Sequence, residues 1–260
     1  MRKFLTLAAA AAAVMFGASA HAVPTLVVTL TDTGSATTFS CSLTGATVAN
    51  TSVCSGAGWN FQSGFGNTFG NLEFNFQGAV GGYSMSFQTS QTNAPGVVAG
   101  AQINVGFTNM LNKSSLGSLV VSVAAHEFTL PSGPAMTLFG SQALSSNTSN
   151  VGSIGSQYFA SATNAAMPSL APTASSSTSL PSNTAASVNA APVNWMRNAT
   201  PFSLENVLTF NLSQSSDEGI NGTANLIVRN RVPEPMTTAL VGLGLFGAAF
   251  FSRRRKAVTA

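Results

Sequence analysis

The sequence predicts an all-β fold, most simply an antiparallel β-sandwich, and three observations lead to this prediction. Apolar and polar residues alternate with a period of two in several separate stretches. A glycine-rich turn joins two of these stretches, and no long amphipathic helix lies between the two ends of the chain. Such alternation is typical of strands that have one face in a core and the other in water. We therefore expect two packed antiparallel sheets.

The strands are expected where the alternation is clearest. In chain order these stretches are Leu26 to Leu30, Leu72 to Phe76, Tyr83 to Phe87, Ile103 to Phe107, Leu119 to Val123, Leu208 to Leu212 and Leu226 to Val228. Gly78 to Gly82 separates the second and third stretches and can supply the positive φ of a tight reversal, which predicts a hairpin. The strands that follow Trp195 are too few to fold alone, so we expect them to rejoin the earlier ones.

Residues 1–22 have the features of a secretory signal peptide. Arg2 and Lys3 precede an apolar, alanine-rich run from Phe4 to Phe16, and small residues follow. The expected cleavage site is Ala20-His21-Ala22, with Ala18-Ser19-Ala20 as the alternative. We therefore expect export by the Sec machinery, cleavage by signal peptidase and an extracytoplasmic β-rich domain over residues 23–231.

The C-terminal end carries a second set of targeting features. Val232, Pro233, Glu234 and Pro235 precede an uncharged segment, Met236 to Ser252, and the basic cluster Arg253, Arg254, Arg255 and Lys256 follows. A helix over residues 236–252 would span about 25 Å, the short limit for crossing a bilayer, and the basic cluster would remain in the cytoplasm. A plain C-terminal anchor, in which the prolines only separate the domain from the helix, is the alternative.

This order of elements resembles the PEP-CTERM sorting signal. That signal occurs on exported proteins of Gram-negative bacteria that make exopolysaccharide, and the membrane enzyme exosortase recognises it. The resemblance covers only residues 232–256. It implies that Pro233, Glu234 and Pro235, directly after Val232, are the recognition motif, and that Arg253 to Lys256 supply the retention charge. It also implies transit through the inner membrane, held by the C-terminal helix, to the cell surface or the extracellular matrix.

Charge excludes nucleic acid as a partner. Between Val23 and Val232 the chain has four bases, Lys113, Arg197, Arg229 and Arg231, against six acids, Asp32, Glu73, Glu127, Glu205, Asp217 and Glu218. Binding to phosphates needs a field of many Lys and Arg side chains, which this part lacks. Its polar positions are filled instead by Ser, Thr, Asn, Gln and Gly, so we expect a hydrated but weakly charged surface.

Two cysteines, Cys41 and Cys54, lie close together in a stretch rich in Ser, Thr and Gly. In an exported chain this favours a local disulfide, with two unpaired thiols as the alternative. No further thiol or nearby histidine completes a metal site, and we expect neither metal nor cofactor.

Residues 161–192 differ from the rest in composition. Ser, Thr, Ala, Pro and Asn dominate, and large apolar residues are almost absent. Such a segment buries too little surface to offset its ordering entropy. We interpret it as a flexible insertion, with a boundary between two domains as the alternative.

Catalytic motifs are not found. The sequence contains no Gly-x-Ser-x-Gly or His-Glu-x-x-His motif and no phosphate-binding glycine loop. His126 and Glu127 are neighbours on an expected strand, so they point to opposite faces, and we place His126 at the surface or an edge.

Trp59, Phe61 and Phe65 lie among glycines and amides and are candidate glycan contacts; as the alternative, these rings fill the core.

These features favour a non-enzymatic function. We expect an exported structural or adhesive component associated with exopolysaccharide or biofilm. One alternative is a secreted polysaccharide-active hydrolase, which turnover in a degradation screen would reveal. The other is an ice-binding protein, a label sometimes attached to tails of this kind, which thermal hysteresis of the mature protein would reveal.

Overall fold

The computed structural model describes residues 25–44, 51–55, 59–67, 71–92, 100–131, 133–146, 152–161, 164, 173–180, 185–197, 201–214 and 219–231. These parts of the chain form strands and connecting turns, with no α-helix among them. Accordingly, no membrane-crossing helix is found in the ranges just given. The expected signal peptide and the tail from Val232 onward lie outside these residues.

Fifteen strands follow one another in the described ranges. They are β1 Thr25–Asp32, β2 Thr37–Thr44, β3 Thr51–Ser55, β4 Trp59–Asn67, β5 Asn71–Val80, β6 Tyr83–Thr92, β7 Ala101–Asn112, β8 Leu119–Phe128, β9 Ala135–Ser146, β10 Gly152–Ser161, β11 Thr173–Leu180, β12 Ala185–Asn189, β13 Val193–Met196, β14 Phe202–Leu212 and β15 Ile220–Asn230. Every expected strand is present, and the all-β prediction is confirmed.

The strands form two antiparallel sheets. The seven-stranded sheet has the order β11-β10-β14-β8-β1-β2-β3, and the eight-stranded sheet has the order β12-β9-β15-β7-β6-β5-β4 with β13 also paired to β9. The last two strands enter different sheets: β14 lies between β10 and β8, and β15 lies between β9 and β7. The end of the β-rich region therefore completes both sheets, as expected for strands too few to fold alone.

The core lies between the two sheets and is rich in phenylalanine. Burial alternates along the strands, as along β1, where every second residue is buried. Phe107 of β7 meets Phe210 of β14 edge to face at 4.9 Å between ring centroids, and Phe39 of β2 meets Phe76 of β5 at 5.6 Å. Both pairs join one sheet to the other, and edge-to-face contact is a favoured arrangement of aromatic rings.

The predicted hairpin between β5 and β6 is confirmed. Val80 pairs with Tyr83, so only Gly81 and Gly82 form the turn. Gly81 has φ of +56°, which glycine adopts at little cost. A side chain there would also clash, since a Cβ would stand 2.1 Å from a carboxylate oxygen of Asp32.

Cys41 and Cys54 form the expected disulfide. They are directly opposed in the β2–β3 pairing, with 4.0 Å between their Cα atoms. Cys41 is buried in the core while Cys54 is exposed on the edge strand. The bond thereby ties the edge of the seven-stranded sheet to its interior.

Reduction of this bond is expected to lower the free energy of unfolding by about 3 kcal/mol, because it frees a short loop in the unfolded chain. Denaturant titration with and without reductant measures the loss. The matched control is the double variant Cys41→Ala with Cys54→Ala, which should no longer respond to reductant. Two alkylatable thiols in protein isolated from the cell surface would contradict the bond itself.

Residues 161–192 contain regular structure that their composition does not predict. Strand β11 pairs with β10 and strand β12 with β9, each at the outer edge of its sheet. An edge strand is held by backbone hydrogen bonds to one neighbour and needs no apolar face. Part of this segment therefore forms edge strands, and its expected flexibility remains a prediction.

The surface or edge position expected for His126 is wrong. Its side chain is only 9% exposed, and its strand β8 is not an edge strand, since it lies between β14 and β1. Glu127 has φ of +69°, which interrupts the alternation and returns Phe128 to the core. A single sequence gives no indication of which strands are interior.

Candidate ligand-binding face

The outer face of the eight-stranded sheet carries an array of polar side chains, all but one of them uncharged. It follows from the period of two: where β5, β6, β7 and β15 turn apolar residues inward, the residues between them face outward. We call this array the amide face; its members are Glu73, Asn75, Gln77, Ser86, Gln88, Ser90, Gln102, Asn104, Thr108, Thr223 and Asn225.

The strand register arranges the amide face in rows that cross the sheet. Asn104 of β7 is directly opposite Ser90 of β6 on one side and Asn225 of β15 on the other. In the next row, Gly106 lies between Gln88 and Thr223. Directly opposed side chains have their Cβ atoms about 4.5–5.5 Å apart, so each row brings hydrogen-bonding groups side by side.

A depression opens in the middle of the amide face. Its volume is about 240 Å³, and its lining includes Gln88, Asn104, Thr223 and Asn225 around Gly106. A Cβ added to Gly106 would meet only the carbonyl oxygen of Gln88, at 3.8 Å. Gly106 does not have a positive φ, so its backbone conformation does not require glycine. Its missing side chain is what leaves this space open.

Contacts within the face orient its amides. Gln102 Nε2 donates to Asn104 Oδ1 at 2.5 Å, and Gln88 Nε2 donates to Glu73 Oε1. Each primary amide has two N–H donors and an oxygen that accepts two hydrogen bonds, so these contacts leave further donors and acceptors for a ligand. The face therefore suits a partner that itself both donates and accepts hydrogen bonds.

The three aromatic candidates are divided by the register of β4. Trp59 is opposite Gly78 and Phe61 is opposite the core residue Phe76. An irregularity after Phe61 then sets Phe65 opposite Glu73. Their own side chains, and the sorting residues Val232 to Pro235 and Arg253 to Lys256, lie outside what the structure describes. The roles of these aromatic and sorting residues remain predictions. The side chains that the register brings together are the amides of the amide face.

A second polar cluster, around Asp32, has a structural role. The buried carboxylate accepts hydrogen bonds from the amides of Gly34 and Gly82, at 2.9 and 2.8 Å, and from the hydroxyls of Ser35 and Ser115. Burial alone would raise the pKa of Asp32, but the four hydrogen bonds outweigh it and the pKa is lowered. Because four donors converge on it, the carboxylate is already satisfied and needs no bound cation.

Glu205 and Glu73 do not form a carboxylate pair. Burial raises the pKa of Glu205, although the Ser122 hydroxyl partly opposes this at 2.5 Å. Glu205 is aligned with Ala124 on the outer side of the seven-stranded sheet, whereas Glu73 lies on the amide face of the other sheet. These two carboxyls are therefore on opposite sides of the molecule. Nor do three His, Cys, Asp or Glu side chains group as metal ligands in the described ranges.

Solved structures offer only distant likenesses. A complex titled TmCBM61 with beta-1,4-galactotriose is 12% identical and has a TM-score of 0.24, covering 57% of this chain and 88% of its own. A family 11 carbohydrate-binding module from Clostridium thermocellum, in complex with a beta-1,3-1,4-mixed-linked tetrasaccharide, is 10% identical with a TM-score of 0.25, covering 69% and 100%. Likenesses this weak carry no conclusion about a ligand. No curated protein matches the chain significantly.

The C-terminal tail matches a protein-family model. Residues 231–256 match the model of the PEP-CTERM protein-sorting motif. This range includes the Pro-Glu-Pro sequence, the apolar segment and the basic cluster from which the resemblance was drawn. The chain therefore carries a PEP-CTERM protein-sorting motif at its C-terminal end and is an exported protein of the kind that exosortase sorts.

Proposed function

We propose that this chain is a non-enzymatic adhesive component of the cell surface or extracellular matrix, which holds neutral exopolysaccharide on its amide face. The Sec machinery exports it, signal peptidase cleaves its signal peptide, and exosortase processes its tail. The observation that carries the proposal is the uncharged array of amides and hydroxyls around the depression at Gly106.

The chemistry of the face complements that of a neutral sugar. Every sugar hydroxyl both donates and accepts hydrogen bonds, and so do the groups of the face, whose only charged member is Glu73. Each hydrogen bond contributes a net of only about 0.5–1.5 kcal/mol in water. Binding to one short segment is therefore expected to be weak, and retention in a matrix to come from many copies engaging one polymer.

Filling the depression should abolish this binding. Gly106→Gln places a side chain where Asn104, Asn225 and Thr223 meet the ligand, and we expect at least a tenfold loss of affinity for the exopolysaccharide. Affinity electrophoresis in gels containing the polysaccharide measures it. Asn104→Ala with Asn225→Ala should weaken binding as well, by removing ligand contacts without blocking the space.

Gly155→Gln is the matched control. A Cβ at Gly155 of β10, in the seven-stranded sheet, meets nothing within 4 Å, and one at Gly106 meets only the Gln88 carbonyl oxygen at 3.8 Å. Both variants should fold as the wild type does, since each adds a side chain to open space. Equal retardation of Gly106→Gln, Gly155→Gln and wild type would refute binding through the amide face.

A further inference from the structure

An exposed cluster of basic and apolar side chains lies at the point where the chain leaves the sandwich for its tail. We call it the tail-root patch, and it comprises Arg197, Arg229 and Arg231 with Met196 and Phe139. The first and last of these residues are more than ninety positions apart in the sequence, and the pairing of three strands brings the five together.

Strand β9 is the element on which the patch is assembled. Its first residues run between the ends of β15 and β13. The backbone N–H of Arg231 donates to the carbonyl of Ala135 at 2.9 Å, and that of Arg197 donates to the carbonyl of Pro134 at 2.7 Å. Since neighbouring strands are about 4.8 Å apart, the backbones of the two arginines lie within roughly 10 Å of each other.

The side chains of the patch combine charge with exposed apolar surface. Arg229 and Arg231 are exposed, and the Arg229 guanidinium lies 5.8 Å from the centroid of the Phe139 ring. Met196 is 61% exposed and Phe139 is 36% exposed. Only one other large apolar side chain of the described residues, Leu116, is comparably exposed.

Arg197 anchors the patch to the end of the sandwich. Its Nη1 donates to the carbonyls of Thr129 and Pro131 at 3.2 and 2.9 Å, and its guanidinium lies 5.5 Å from the Phe202 ring centroid. This arginine is half-buried, so the outer two arginines carry most of the accessible charge.

Positive charge dominates at this end. Three of the four bases of the described ranges are in the patch, and Lys113 lies at the opposite end, where its backbone N–H donates to the carbonyl of Gly82. Among the acids, Asp32 is also at that opposite end and Glu205 is buried. Glu127 is at the same end as the patch, and it accepts a hydrogen bond from the side-chain amide of Asn164 at 2.6 Å. Glu73 lies on β5, in the amide face.

The chain itself limits how far the patch can stand from a membrane. The apolar segment of the sorting motif begins at Met236, five residues after Arg231. Five residues span at most about 18 Å when fully extended. Once that segment is in a bilayer, the end of β15 is held close to the lipid headgroups.

We propose that the tail-root patch docks the domain on the anionic lipid surface of the membrane that holds the tail, before the tail is processed. Arginines near the surface attract anionic headgroups, while exposed Met and Phe side chains enter the interface. The proposal rests on the proposed membrane transit of the tail and is independent of glycan binding by the amide face. Docking presents the neighbouring Pro-Glu-Pro sequence at the membrane surface, where a membrane enzyme meets it.

Arginine-specific labelling of the full chain tests the docking. The chain is reconstituted in vesicles of phosphatidylcholine alone and in vesicles of which a third is phosphatidylglycerol, and mass spectrometry follows modification of Arg229 and Arg231 by phenylglyoxal. We expect labelling to be at least fivefold slower in the anionic vesicles and to recover in about 0.5 M salt, where charges are screened over a few ångströms. Acetylation of Lys113 should proceed equally in both.

Two variants and a flotation control test whether the arginines dock on the lipid. Arg229→Gln should restore the labelling of Arg231 in anionic vesicles, whereas Lys113→Gln should leave its protection unchanged. A chain that floats with both kinds of vesicle but labels equally in both overturns the docking alone. A chain that floats with neither overturns the docking and the membrane transit together. Protection by a soluble anionic polysaccharide, and none by anionic vesicles, also overturns the lipid docking.

Discussion

Asp32→Ala is expected to lower the free energy of unfolding by about 3–5 kcal/mol. It removes the charged acceptor of four hydrogen bonds, and the two buried donors, Gly82 N–H and the Ser115 hydroxyl, are left unsatisfied at roughly 1–3 kcal/mol each. The carboxylate joins the β1–β2 turn to the hairpin turn at Gly82 and to Ser115 of the loop after β7. Its loss therefore loosens contacts between both sheets at once. Denaturant titration followed by circular dichroism measures the change.

The effect should depend on pH. The pKa of Asp32 is lowered from its ordinary value of 3.8, so its ionised form stabilises the fold above that value, and this stabilisation is lost as pH falls through the folded-state pKa. Asp32→Asn should lack this acid-dependent component. Glu73→Ala is the control, since that carboxylate lies on the surface, and it should change stability by less than about 1 kcal/mol. Wild-type stability in Asp32→Ala would contradict the structural role of the cluster.

Replacing Pro233, Glu234 and Pro235 with alanines is expected to abolish processing of the tail. If exosortase recognises this motif, the variant keeps its apolar segment and basic cluster and remains in the membrane. Neutralising Arg253, Arg254 and Arg255 should also prevent processing, by removing the charge that retains the tail. Intact mass and cell fractionation report both results.

A matched control lies next to the motif. Thr237→Ala with Thr238→Ala changes polar residues in the same tail without touching Pro-Glu-Pro or the basic cluster, and it should be processed normally. If the alanine-substituted motif still yields surface protein of normal mass, the tail is only an anchor.

The fold class was predictable because the strongest strands carry their signal locally. Phe74, Phe76 and Phe87 alternate with polar residues and all reach the core. Strand β9 gave no such signal, although it is interior to its sheet. Gly140 faces inward there, where a Cβ would stand 2.2 Å from the Tyr158 ring. Gln142 is also buried, and it accepts a hydrogen bond from the Ser156 hydroxyl. A glycine and a glutamine at inward positions break the alternation of apolar and polar residues, so the sequence does not indicate this strand.

The candidate site was less predictable, because it depends on register. Gln88, Asn104 and Asn225 come from three strands, and more than a hundred residues separate the last of them from the others. In the sequence, each has the pattern of an ordinary polar residue on the outward face of a strand. Only the pairing of β7 with β6 and β15 makes them neighbours. Aromatic residues, by contrast, stand out in a sequence without a structure, which is why Trp59, Phe61 and Phe65 were the predicted glycan contacts.

The most direct test of the proposed function is where the protein is found in a culture that produces exopolysaccharide. We measure its partition between the polysaccharide matrix and the medium, together with its intact mass. Wild type and Gly155→Gln should be retained in the matrix, and Gly106→Gln should be released into the medium with the same processing at both ends. Equal retention of Gly106→Gln, at a mass that shows normal processing, would contradict the claim that the amide face holds the matrix polysaccharide.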